Sequence, residues 1–89
     1  MDFASLTNFH ERLVFDYIAS DLLDRYPEQD EDFFLDVACY ALNRLPGRYI
    51  RHEIDMVYFL GEEERAEIED RVTRVVDDAA AFIQERSRE

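Results

Sequence analysis

The sequence predicts an all-α fold, a small helical domain of three main helices plus a short extended or helical linker, and a dimer-forming one. Three observations carry this. Apolar residues recur at three- and four-residue steps in three separate segments. Pro27, Pro46 and Gly61 fall between those segments, where they end helices rather than interrupt them. The last segment opens on Glu62, Glu63 and Glu64 and closes on Arg86 and Arg88, and both charge biases favour a helix dipole.

The first helix is expected over residues 8 to 25. Leu6, Phe9, Leu13, Tyr17, Ile18 and Leu22 follow helical steps, Asn8 or Thr7 can cap it, and Pro27 ends it. Asp30 and Asp32 suit the start of a second helix, which Pro46 stops. Its residues Phe33, Phe34, Leu35, Val37, Ala38, Cys39, Ala41 and Leu42 are apolar nearly all round, so it should be the most buried element.

The third helix is expected over residues 62 to 86. Ile68, Val72, Val75, Ala79 and Phe82 keep a 4-3-4-3 spacing flanked by Val76 and Ile83. Glu67 with Arg71 and Asp70 with Arg74 stand as i,i+4 pairs. Such a helix spans roughly 37 Å, whereas a compact domain of this length has a radius of gyration of only about 12 Å. It should therefore overhang its own domain and pack on a copy of itself, giving a homodimer. Residues 49 to 60 read two ways. Apolar residues at 50, 54, 56, 58 and 60 fit a strand, while Ile54, Val57, Tyr58 and Leu60 fit a short helix nearly as well; an extended lead through Ile50 and then a helical turn is expected.

Composition narrows the function. Eighty-nine residues, 47% of them hydrophobic, make a single domain over residues 1–89, near the size at which a second copy is often recruited to complete a core. A net charge of −12 and a pI near 4.4 argue against duplex DNA or an anionic membrane as the main partner. Cys39 is the single cysteine, so one chain can build neither an internal disulfide nor a thiolate zinc site, and a cytoplasmic location is the simple reading. The start of the chain lacks a basic region followed by an apolar run, and no uncharged stretch approaches a membrane span. No cofactor is expected.

Within this acidic chain lies one cationic island. Residues 37 to 52, VACYALNRLPGRYIRH, hold no carboxylate although the chain has 22, and they carry Arg44, Arg48, Arg51 and His52 around the turn at Pro46 and Gly47. Arg48, Arg51 and His52 could clamp phosphates by charge-assisted bonds, or simply neutralise the surrounding acid. Tyr49 and Tyr58 could stack on purine rings, or belong to the edge of the core. Asp36, the one charge within the apolar run from Phe33 to Leu42, and Asn43, before the Leu-Pro stop, could bind a ligand; a structural pairing and a turn hydrogen bond are the alternatives. His52, Glu53 and Asp55 lack further ligands at a metal-site spacing. No phosphate loop, nucleophile elbow or H-E-x-x-H is present, so the chain reads as a non-enzyme.

Asp36 to Tyr49, DVACYALNRLPGRY, resembles the signature of the late competence development ComFB family, approximately D-V-x-A-x-A-L-N-x-L-P-P-x-Y, and Asn8, Glu11 and Val14 resemble its N-x-x-E-x-x-V start. The resemblance covers most of the chain. It implies an all-helical, dimer-prone regulatory protein, and some members are described as receptors for cyclic dinucleotides. The cysteine cluster with which some members bind zinc is absent before Asp36, so no zinc is expected, and Gly47 replaces a proline of the pattern, which should loosen the turn. Two readings result. One is a homodimer binding a cyclic dinucleotide through Arg48, Tyr49, Arg51 and His52, with Asp55, Asn43 and Asp36 nearby. The other is an interaction module without a small ligand, whose island docks an acidic segment of a regulatory partner or of its own chain.

Overall fold

The computed structural model describes residues 1–51 and 60–86. It is mostly helical, as expected. A 3-10 turn at Phe3–Ser5 leads into a two-residue strand β1 (Thr7–Asn8), then helix α1 (Phe9–Tyr17), a π-helical segment (Ile18–Leu22) and a short α2 (Leu23–Arg25). Helix α3 (Glu31–Leu42), strand β2 (Tyr49–Ile50) and the long α4 (Glu62–Arg86) follow.

Local chemistry sets the helix starts. The Asn8 side chain accepts from His10 N at the head of α1, and the Asp30 carboxylate accepts from Phe33 N at the head of α3, each satisfying a backbone donor that the helix leaves over. The first helical run ends at Arg25, two residues before Pro27. Within it, Val14, Ile18 and Leu22 are buried at steps of four. In an α-helix each such step drifts by about 40° around the axis. The π segment, where Leu23 N–H bonds Ile18 O, widens one turn and keeps the three residues on one face.

The core is shared by all the long elements: Val14 and Leu22 from the first run, Val37 and Ala41 from α3, and Ile68, Val72, Val76, Ala79 and Ala80 from α4. Two expectations change here. First, α3 is not buried all round; Phe33, Val37, Ala38 and Ala41 face the core, while Leu35, Asp36 and Cys39 are exposed. It packs against α1 and α4 and leaves its remaining face in water. Second, the stripe on α4 is used within its own protomer: Ile68, Val72 and Ala79 are buried at the expected positions, Val76 and Ala80 are buried beside them, whereas Val75 is half-buried and Phe82 is 39% exposed. Most of the stripe is thus covered by α1 and α3 within the protomer, while Phe82 stays exposed. The helix is accommodated by an elongated molecule, 44 × 34 × 21 Å with a radius of gyration of 14.3 Å.

The extended lead through Ile50 is present, and it has a partner the sequence did not reveal. β1 and β2 pair antiparallel, Thr7 opposite Ile50 and Asn8 opposite Tyr49. The helical turn expected after Ile50 lies outside the described residues. No described helix is long and apolar enough to cross a membrane.

Candidate functional site

The turn between α3 and β2 is fastened to the start of α1 by three hydrogen bonds, one of which shares its acceptor with the α1 cap. Phe9 N donates to Arg48 O at 2.7 Å. Arg48 N donates to Asn8 Oδ1 at 3.1 Å, and the same oxygen accepts from His10 N at 3.2 Å. His10 is 2% exposed, and its Nδ1 lies 2.6 Å from Pro46 O. A carbonyl oxygen can only accept, so Nδ1 carries the proton in this tautomer. Asn8 and His10 thereby hold both sides of the Pro46–Arg48 turn, and they fix where the arginine side chains start.

On that framework Tyr49 is 72% exposed. Its ring lies beside Gly47, where an added Cβ would meet it at 3.4 Å, an ordinary contact distance. Gly47 has no positive φ, so neither backbone angle nor space at this position demands glycine. The Arg48 guanidinium reaches Glu64 Oε1 at 3.4 Å, a partly exposed pair at the start of α4. Arg51 is exposed just beyond Ile50. The ribbon therefore presents an uncovered aromatic ring with arginines on either side of it in the chain. His52, Asp55 and Tyr58 lie outside the described residues.

Asp36 and Asn43 stand elsewhere. They line a cleft of about 520 Å³ between α3 and the end of α4, together with Cys39, Tyr40, Ile83 and Arg86. Asn43 Nδ2 donates to Cys39 O at 2.9 Å, closing the end of α3; this is the turn hydrogen bond expected of it. Beside the cleft four groups stack in series. Arg44 lies 4.4 Å over the Tyr40 ring and also bonds its hydroxyl, Tyr40 stacks on Phe82 at 4.6 Å and 22°, and Arg86 lies 5.6 Å over Phe82. Arg44 is thus engaged with an aromatic face. The cationic island is split between the ribbon, with Arg48 and Arg51, and this stack.

Sequence reasoning passed over His10, Arg86 and the Tyr40–Phe82 pair. His10 could have been noticed as a polar residue one step before the buried Val14 position, but its partner is a main-chain carbonyl with no sequence signature. Among the described residues no group of three His, Cys, Asp or Glu side chains is placed to hold a metal ion.

The fold and this fastened turn use the same residues as the sequence signature, and a family model agrees. The model described as late competence development protein ComFB matches residues 7–87. The chain belongs to the ComFB family. Its match begins at β1, so it takes in the Asn8 and His10 clasp as well as the turn they hold. Searches of curated proteins and of solved structures give no match. Membership in the ComFB family suggests a competence-related small protein.

Proposed function

We propose that this ComFB protein is a non-enzymatic signalling protein of the cytoplasm that binds a cyclic dinucleotide on the Arg48–Arg51 ribbon. Tyr49 is the observation that supports it most. A tyrosine ring with most of its surface in water, set between two arginines on a backbone fastened by Asn8 and His10, has the parts needed to stack a base and bond phosphate. Preorganisation adds to this, since a ribbon already fixed loses little freedom on binding. Asp36 and Asn43 are left out of the contact set, because they line the cleft by α4.

The proposal does not need a second copy. Homodimerisation through residues 62 to 86 rested on a stripe whose Ile68, Val72, Val76 and Ala79 are now found buried within the protomer. The other reading, an interaction module whose ribbon docks acidic protein segments, draws support from the Arg48–Glu64 pair, where a ribbon arginine already meets acid of its own chain.

Titration calorimetry with a panel of cyclic dinucleotides decides between them. Arg48→Ala and Arg51→Ala should each weaken binding by about 1.5 to 3 kcal/mol, the worth of a hydrogen bond to a charged group. Neither should lower the melting temperature, because partly exposed ion pairs such as Arg48–Glu64 contribute about 0 to 1 kcal/mol. No binding by the wild type at millimolar ligand would leave the interaction module standing. Lower stability with unchanged binding would assign the arginines to charge neutralisation.

A further inference from the structure

A second feature of the molecule shares no residue with the arginine ribbon. Between the first helical run and α3 lies an open groove of about 450 Å³. Its floor is Ile18 and Ala38, both buried; its walls are Phe15 and Leu23 on one side, and Phe34 and Leu35 on the other. Phe15, Leu23 and Leu35 are 48%, 44% and 58% exposed, so three large apolar side chains stand in water around one depression. Such clustering, rather than scattered single residues, marks an interaction surface.

Two further observations shape what would fit. The π segment contributes Ile18 to the groove floor and Ala19 to the wall beside it. Segments of this kind recur at functional sites, and here the wide turn places small Ala19 on the wall between two large residues, leaving room for an incoming side chain. The mouth is acidic. Asp30 and Glu31 line it directly, and both are exposed. An apolar trough between two helices with carboxylates at its mouth matches the two faces of an amphipathic helix whose polar side is cationic. A second copy of this chain would bring another −12 to that mouth, and an anionic membrane would be repelled by it.

We infer that the groove between the first helical run and α3 docks a basic amphipathic helix of a partner protein. Apolar side chains at i, i+3, i+4 and i+7 of that helix fill the trough between Phe15, Leu23 and Leu35, and its lysines or arginines lie along the carboxylates at the mouth. This surface is independent of the nucleotide reading and stands or falls separately.

The test uses the full chain and a fluorescein-labelled 18-residue peptide with leucines at that spacing and lysines or arginines at most other positions. Its control is a peptide of the same composition, shuffled to destroy the apolar face. Fluorescence anisotropy should show the patterned peptide binding at least tenfold more tightly than the shuffled one. Leu35→Asp should remove that preference. The substitution adds a negative charge on an exposed residue, so attraction by charge alone would rise while docking in the groove is lost, and circular dichroism confirms that the fold is kept. Ala19→Leu, which fills the wall without changing charge, should weaken binding in the same way. Equal binding of both peptides, or undiminished binding by Leu35→Asp, overturns the inference. So does light scattering that finds a wild-type dimer dissociated by Leu35→Asp, since the occupant would then be a second copy.

Discussion

Asn8 joins two parts of this structure through a single side-chain oxygen. One oxygen accepts from His10 N, capping α1, and from Arg48 N, pinning the turn 40 residues on. Removing an N-cap acceptor costs about 0.5 to 2 kcal/mol, and here the loss also frees the ribbon. Asn8→Ala should therefore lower stability in urea denaturation by about 1 to 2 kcal/mol and weaken cyclic dinucleotide binding as well, whereas Asn8→Asp, which keeps the acceptor, should restore most of both. An Ala variant that binds as tightly as wild type would show that the clasp does not organise the ribbon. The cap was legible, because Asn before a helical run has a local mechanism. Its second role was not, and neither was His10, because in both cases the partner is a backbone group brought near by the fold. Arg48 and Tyr49 were legible as candidates from the charge gap alone, yet nothing local distinguished Asn43 and Asp36, which the fold puts in a different cleft.

Helix α4 is tied to the first helical run by a junction that fixes their relative position. Tyr17 OH donates to Asp77 Oδ1 at 2.7 Å, and Arg25 bonds the same oxygen, which holds the guanidinium pKa above its usual value. Burial, then the bond to Asp77, pushes the Tyr17 hydroxyl up to about 12 from 10. The protonated hydroxyl is thus favoured in the folded state. Its contribution is fully present below pH 10, and it is lost as pH rises through 12, because the unfolded chain releases this proton first. Thermal melts should show stability falling between pH 10 and 12, and Tyr17→Phe should flatten that part of the curve. An unaltered alkaline profile in Tyr17→Phe would mean that the junction does not couple the two helices. At this scale the sequence indicated three helices and their starts, since caps and prolines act locally. It did not indicate the π turn, because residues 14, 18 and 22 suit either hydrogen-bond pattern until packing selects one. It placed Ile68, Val72 and Ala79 on the seam of α4 but took Val75 ahead of Val76, because the two are equivalent to any rule based on hydrophobicity, and only the position of α1 and α3 separates them.

Across the whole molecule the charge is unbalanced, 22 carboxylates against 10 arginines. The ion pairs described for it do little to offset this. Arg12–Asp16, Arg65–Glu69 and Arg74–Asp70 are i,i+4 pairs more than half exposed, and pairs of that kind contribute about 0.3 to 0.5 kcal/mol each. Repulsion among the remaining carboxylates is the larger effect, and it acts over distances that salt screens within about 10 Å at 0.1 M. Raising sodium chloride from 10 to 500 mM should therefore increase the melting temperature by several degrees, about 4 to 8 °C for each 1 kcal/mol in a domain of this size. A decrease would mean that the pairs outweigh the repulsion. The same sweep bears on the ribbon. A nucleotide phosphate approaching an ordinary basic surface is drawn in from afar, so its association rate falls steadily with salt. Here the approach is against a field set by −12, and attraction begins only beside Arg48 and Arg51. Stopped-flow association of a cyclic dinucleotide should thus speed up between 10 and 100 mM salt before contact screening slows it. A rate that only falls would place the anion on a surface whose local field is positive well beyond the ribbon, and the arginines would then act as a steering patch rather than a contact site.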